Sequence, residues 1–270
     1  MPLARRQRAG GRQLVVRMPA PPPQLRFTMR HIGYQFAGLT TLALGVAALT
    51  PGCADNESQF FVQGVLVPDA PPSCSVTADQ GAALRLGGVM DTLFTNTYVG
   101  ALLIGNQLTQ RGNRDELKTE TSRIAIRGAE VKILTAQDQL ISEFSVPATG
   151  FVDQSVGTNA AYGTASVTLI DPATGNTLAG QVTGGRTLTV VVEVRVYGDT
   201  LGGSEITSAA LTYPITVCSG CLISCPADPP NSTAVCQLGI DENVDCRECA
   251  GSSNPAAAAA CTAALNGVTP

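Results

Sequence analysis

The apolar residues between positions 187 and 197 follow a period of two: every second residue from Leu188 to Val196 is leucine or valine. This alternation is typical of a strand with one buried and one exposed face. Residues 207–217 alternate in the same way, but Pro214 lacks the backbone N–H that a ladder hydrogen bond needs. We therefore expect this second strand to lie at a sheet edge.

A change of phase interrupts the alternation earlier in the chain. Ile124 and Ile126 fall on one parity, whereas Val131 and Ile133 fall on the other, with Gly128 between the two pairs. A single extra residue in one strand would shift the phase in this way. The pattern therefore predicts one long strand with a β-bulge near the glycine.

Shorter apolar runs, separated by Gly, Asn and Asp turns, predict the remaining strands. These runs are 60–67, 98–104, 140–146 and 165–169. No segment between 82 and 217 has convincing helical periodicity. The spacing favours an all-β fold, an antiparallel immunoglobulin-like β-sandwich over residues 82–217, with a small barrel as the alternative.

The chain changes character after Val217. Residues 218–270 contain seven cysteines, several prolines and few large apolar residues. A segment of this size and composition needs covalent cross-links to hold a structure. Asn254 and Pro255 are suited to the N-cap and first position of a short alanine-rich helix. We expect a small cysteine-rich tail here, while residues 53–81 form a tether and a first strand.

The charge distribution divides at Cys53. The segment before it contains seven arginines and no acidic residue, whereas the chain after it contains 10 basic and all 21 acidic residues, a formal charge of −11. Such an acidic chain lacks the basic surface that nucleic-acid binding requires.

The single histidine, His31, also precedes Cys53. A chain beginning at Cys53 would therefore lack histidine-assisted nucleophiles and histidine-ligated zinc, and we assign no catalytic residue.

Residues 29–53 have the order of a secretory signal: a short cationic start, an apolar run and small residues before a cysteine. The last five, LTPGC, resemble the lipobox of bacterial lipoproteins, although Leu49 lies one position earlier than in the family pattern. An uncleaved membrane helix over 32–50 is the alternative.

The lipobox resemblance implies that residues 1–52 are removed and that Cys53 carries the lipid. Several acyl chains on one cysteine would hold the protein at a membrane permanently. Ala54 follows the cysteine, and the sorting pattern of enteric lipoproteins then implies the outer membrane. The resemblance thus implies an envelope protein that faces the periplasm or the cell surface.

Eight cysteines remain when Cys53 is set aside, and an even number outside the cytoplasm predicts four disulfides. They are Cys74, Cys218, Cys221, Cys225, Cys236, Cys246, Cys249 and Cys261. We expect most pairs to lie within 218–261 and Cys74 to connect the start of the sandwich to the tail. A zinc site at the two CxxC pairs is the alternative, disfavoured by their wide separation. We expect neither a metal nor another cofactor.

The segment from Asp241 to Asp245 places oxygen-bearing side chains at alternate positions, as a calcium loop would. However, Cys246 stands where the loop needs glycine, and Ser252 stands where it needs a bidentate acid. The sequence therefore predicts a solvated acidic turn.

Three segments together resemble the cysteine-tailed lipoproteins of myxobacterium-like Gram-negative bacteria: TPGC at 50–53, the run at 60–74 and CSGCLISC at 218–225. This resemblance implies no defined activity. The leading hypothesis is a lipid-anchored structural or interaction protein with a protein partner in the envelope. A ligand- or glycan-binding module, its small molecule unidentified, is the alternative. A hydrolase using paired carboxylates is the least favoured.

Overall fold

A computed structural model of the protein describes residues 59–109, 121–227 and 234–267. The signal segment, the tether up to Ser58 and Cys53 lie outside these residues. Their cleavage and lipidation therefore stay predictions.

Ten strands in two facing sheets form a β-sandwich, so the predicted all-β class is confirmed. In chain order the strands are β1 (Phe60–Leu66), β2 (Leu84–Arg85), β3 (Gly88–Asp91), β4 (Tyr98–Asn106), β5 (Ile124–Thr135), β6 (Leu140–Val152), β7 (Ala161–Ile170), β8 (Leu188–Thr200), β9 (Glu205–Thr207) and β10 (Leu211–Cys218). The first sheet has the order β2-β1-β4-β7, and the second has the order β3-β10-β8-β5-β6 with β9 beside β8. Because β1 pairs with β4, the sandwich begins at Phe60.

The core lies between the two sheets and consists largely of aliphatic side chains. In β8 the side chains of Val190, Val192, Val194 and Val196 are all fully buried, as the alternation predicts. The bulge in β5 is also confirmed, because its register with both β6 and β8 shifts between Ile126 and Gly128. A Cβ on this glycine would collide with the Tyr197 hydroxyl, so the close packing requires glycine.

The structure differs from the pattern at Pro214. Residues Ile215–Cys218 of β10 pair with β3 in parallel, and β8 lies on the other side. The predicted edge position is therefore wrong for the strand. Pro214 lies one residue before the parallel pairing begins, where its missing N–H is tolerated.

A short helix, α1 (Pro172–Ala179), follows β7, although the sequence predicted none in this region. Asp171 is its N-cap and Pro172 its first residue, which is a standard helix start. The helix is too short to establish a clear period, since only Thr174, Gly175 and Leu178 are buried.

The tail contains two short parallel strands, β11 (Ile223–Ser224) and β12 (Val244–Asp245), and two helices, α2 (Cys246–Cys249) and α3 (Pro255–Leu265). The predicted N-cap of α3 is confirmed, because the Asn254 side chain accepts from the N–H groups of Ala256 and Ala257. Within the residues described, no helix has the length and apolar character needed to cross a membrane.

The sandwich has two distinct ends. At the entry end, Phe60 pairs with Asn106, and the Asn106 amide donates at 2.9 Å to the carbonyls of Ser122, just before β5, and Asp153, just after β6. At the tail end, Leu66 pairs with Leu84 in one sheet, while β10 finishes at Cys218 in the other. The chain therefore enters the fold at one end and passes into the tail at the opposite end.

Candidate functional site

Disulfides join the tail to itself and to the sandwich, which confirms the expectation of disulfide bonds. The four pairs are Cys74–Cys236, Cys218–Cys221, Cys225–Cys246 and Cys249–Cys261. The first pair spans 162 residues and connects the β1–β2 segment to the tail. Disulfides persist in oxidising compartments, and this set therefore indicates an extracytoplasmic location.

The tail has a small core of its own that is built mainly from half-cystines. Cys246, Cys249 and Cys261 are buried together with Val244, and Phe94 from the β3–β4 segment packs against them. The tail core is made of these few side chains, whereas the sandwich core is made of large aliphatic residues. With a core this small, we expect the tail to depend on its cross-links.

Four side chains hold the tail against the tail end of the sandwich, and we call them the docking cluster: Arg85, Tyr98, Tyr213 and Asp241. The Tyr98 hydroxyl donates to Asp241 Oδ2 at 2.7 Å and lies 3.1 Å from the Tyr213 hydroxyl. The Arg85 guanidinium approaches the same carboxylate oxygen at 3.3 Å. One tail carboxylate thus contacts Arg85 of β2 and Tyr98 of β4 directly, and it reaches Tyr213 of β10 through the Tyr98 hydroxyl.

Backbone hydrogen bonds place the same aspartate against β3. The Val89 N–H donates to Asp241 Oδ1 at 2.6 Å, and the Asp241 N–H donates to the Val89 carbonyl at 3.0 Å. Asp241 has a left-handed backbone with φ of 61°, a conformation that aspartate adopts more readily than most residues. Both oxygens of this carboxylate are therefore used in docking the tail.

The docking cluster favours neutral tyrosines. Burial and the negative charge of Asp241 raise the pKa of Tyr98 well above its ordinary value, and burial also raises the pKa of Tyr213. A protonated Tyr98 can donate to the carboxylate, whereas a phenolate would repel it. Gly88 makes room for this arrangement, because a Cβ there would collide with the Tyr98 ring.

The expectation of a solvated acidic turn at 241–245 is wrong. The side chains of Asp241 and Asp245 are only 8% and 4% exposed. Asp245 accepts from the Arg247 N–H as the N-cap of α2 and also pairs with the Arg247 guanidinium at 3.1 Å. Sequence reasoning missed the docking cluster because its members are up to 156 residues apart, and nothing local marks Asp241 as a partner of Arg85.

A second buried carboxylate, Asp91, holds the start of the tail. It is fully buried and accepts from the backbone N–H groups of Gly220 at 2.7 Å, Leu222 at 3.0 Å and Leu93 at 3.0 Å. These bonds fix the turn that the Cys218–Cys221 disulfide closes. Asp241 is a tail carboxylate that contacts the sandwich, whereas Asp91 is a sandwich carboxylate that contacts the backbone of the tail.

The zinc alternative requires thiolates, and the structure places the cysteines of both CxxC pairs in disulfides. Cys246 and Cys249 pair with different cysteines, so the second CxxC is divided. Oxygen or sulfur atoms of Asp91, Cys218 and Cys221 do lie within 4.8 Å of one another. The two sulfurs, however, are joined to each other, and the carboxylate is engaged by backbone N–H groups.

A pocket of about 310 Å³ lies at the entry end, near residues 121–122 and 200–206. Its lining residues are Leu108, Thr121, Ser122, Thr200, Gly202, Ser204, Glu205 and Ile206. Small-molecule sites usually have a mainly apolar lining with a few polar groups. Four of the eight lining residues carry a hydroxyl group, and Glu205 adds a carboxylate. This pocket is therefore not the mainly apolar cavity that the ligand-binding alternative requires.

Comparison with known proteins gives no family for the chain: no family model matches it, and no curated protein does. Among solved structures, the crystal structure of the periplasmic chaperone SfaE is similar at 12% sequence identity and a TM-score of 0.22. The match covers 55% of this chain and 59% of that one. A similarity this low carries no argument about function.

Proposed function

We propose that this protein is a lipid-anchored envelope protein that displays its cysteine-rich tail to a protein partner. The supporting observation is the position of the tail at the sandwich end opposite the entry of the chain. Cys53 precedes Gln59 by six residues, so a lipid on Cys53 would hold the entry end near the membrane. The tail would then face away from the membrane.

The rigid attachment of the tail also supports display. Cys74–Cys236, the docking cluster and Asp91 connect the tail to the sandwich at three separate places. A surface that is already ordered loses little conformational entropy when a partner binds. A tail held in this way is therefore suited to recognition in a fixed orientation.

The anchor is tested by mass spectrometry of the protein purified from envelopes. We expect the N-terminal peptide to begin at Cys53 and to carry acyl chains, and we expect Cys53→Ser to lose both the acyl chains and the cleavage, so that residues 1–52 stay attached. An intact N-terminus with an unmodified Cys53 would contradict the anchor.

The partner is tested with a photo-crosslinking amino acid placed in intact cells. Leu238 in the tail is 53% exposed and serves as the probe position, while exposed Lys132 on β5 serves as the matched control. We expect one discrete adduct from position 238 that the control position does not form. Identical adducts from both positions, or none from 238, would refute a tail-specific partner.

A further inference from the structure

The entry end exposes three apolar side chains from different segments. Phe151 near the end of β6 is 56% exposed, Val156 in the following loop is 70% exposed, and Leu201 just after β8 is 44% exposed. Burial of such side chains in an apolar phase is favourable. These residues therefore constitute a surface that gains from contact with an apolar partner.

Backbone and side-chain contacts hold these segments next to one another. The Leu201 N–H donates to the Arg123 carbonyl at 2.8 Å, and the Arg123 guanidinium lies 4.7 Å from the centre of the Phe151 ring. The same guanidinium pairs with Asp153 at 2.9 Å, which balances its charge.

The loop that carries Val156 is attached to the same end. The Ser155 N–H donates to the Leu108 carbonyl at 2.9 Å, and the Gln107 N–H donates to the Gln59 carbonyl at 2.7 Å. The apolar side chains and the first described residue of the chain therefore lie at one end of the sandwich.

The length of chain before Gln59 limits how far this surface can be from a lipid on Cys53. Six residues span at most roughly 20 Å when fully extended. An attached lipid makes any further contact intramolecular, so even weakly apolar side chains experience a high effective concentration of membrane. The occupant that this geometry favours is a lipid surface.

We propose that the entry end rests on the membrane and that Val156 and Leu201 contact the boundary between headgroups and acyl chains. This inference rests on the proposed lipidation of Cys53. It adds a second, non-covalent contact that fixes the orientation of the sandwich. The tail then points away from the bilayer because it occupies the opposite end.

Tryptophan fluorescence tests the contact, since the chain contains no tryptophan. Single variants V156W and L201W are purified with their native lipid and reconstituted in phosphatidylcholine vesicles, with and without bromine on the acyl chains. We expect brominated lipid to reduce the emission of both variants at least twofold. The matched control L238W, at the tail end, should lose less than a tenth. Equal emission of V156W and L201W in both lipids, or equal quenching of L238W, would overturn the inference.

Co-sedimentation with the vesicles separates the two proposals. Protein that sediments without quenching retains the anchor and refutes only the contact of the entry end. Protein that stays in the supernatant with an unmodified Cys53 refutes the anchor and the contact together.

Discussion

The sandwich and the tail achieve order by different physical means. In the sandwich, fully buried aliphatic residues such as Val192 and Ile104 fill the space between two sheets. In the tail, half-cystines occupy most of the small core, and each of the four disulfides has at least one cysteine there. Burial of apolar surface stabilises the first region, whereas closure of chain loops in the unfolded state stabilises the second.

This difference indicates that the connection between the regions matters as much as either region alone. Because its core is small, we do not expect the tail to fold independently, and we expect it to depend on the sandwich for support. Among the bonds that cross between them are Cys74–Cys236, those of the docking cluster and the Asp91 hydrogen bonds. Variants that act on one region or on the connection should separate these contributions.

The largest effect is expected when Cys74 and Cys236 are both changed to serine. This disulfide closes a loop of 162 residues, for which chain entropy predicts a stabilisation of about 5 kcal/mol. The matched control replaces Cys218 and Cys221, which are only three residues apart and should cost about 2 kcal/mol. Urea unfolding measures both. Equal losses from the two pairs would contradict loop closure as the source of stability.

A core substitution should affect the sandwich as a whole. Ile104→Ala removes a fully buried side chain and is expected to cost about 2–5 kcal/mol. Val244→Ala in the tail core should lower the free energy of unfolding by less, and it should increase hydrogen exchange only in the tail. Hydrogen exchange read by mass spectrometry distinguishes the two variants. Faster exchange throughout the sandwich in the Val244→Ala variant would show that the regions unfold together.

The sandwich could be predicted from the sequence because its physical requirements are local. A strand with one buried face must alternate, which identified β8, and the extra residue of a bulge must change the phase, which identified the irregularity at Gly128. The N-cap at Asn254 was likewise predicted from adjacent residues. The helix α1 was missed because only the start signal, Asp171 and Pro172, distinguishes its eight residues.

The connection between the regions could not be predicted because it depends on distant residues. Asp241 looks like part of an acidic surface turn until Arg85 and Tyr98 are brought beside it. In the same way, Pro214 led to the wrong prediction of an edge strand. The strand that pairs with β10 in parallel, β3, lies more than 120 residues earlier in the chain, and nothing near Pro214 indicates it. An even cysteine count predicts pairing, but the partner of each cysteine is decided only by the folded chain.

The docking cluster should make stability sensitive to alkaline pH. Its raised pKa keeps Tyr98 protonated in the folded state, while tyrosine in the unfolded chain ionises near pH 10. The stabilisation that protonated Tyr98 gives the folded state is therefore fully present below about pH 10. Above that pH it decreases by about 1.4 kcal/mol per pH unit.

Tyr98→Phe tests this dependence. We expect it to cost about 1–3 kcal/mol at neutral pH, because Asp241 loses a buried donor, and the difference from the wild-type protein should shrink above pH 10. Tyr162→Phe, outside the docking cluster, is the control. Urea midpoints between pH 7 and 11 measure the effect. If wild type and Tyr98→Phe differ in stability by the same amount from pH 7 to pH 11, the proposal that Tyr98 stays protonated only in the folded state is refuted.

The smallest loss of stability is expected when a helix N-cap is removed, and each region has one such N-cap. Asp171 caps α1 by accepting from the N–H groups of Ala173 at 2.9 Å and Thr174 at 3.1 Å, and Asn254 caps α3 with an uncharged amide oxygen. Burial alone would raise the pKa of Asp171, but its hydrogen bonds from Thr174 and Ala173 lower it overall.

The charged cap therefore stabilises the folded state fully above the ordinary aspartate pKa, and this stabilisation is lost as the pH falls through the lowered pKa. Asp171→Ala and Asn254→Ala should each cost about 1 kcal/mol at pH 7. At pH 3 the cost of Asp171→Ala should decrease while that of Asn254→Ala stays the same, and Asp171→Asn should retain most of the cap without the pH dependence. Urea midpoints at both pH values provide the measurement, and an unchanged cost of Asp171→Ala at pH 3 would refute the charged-cap explanation.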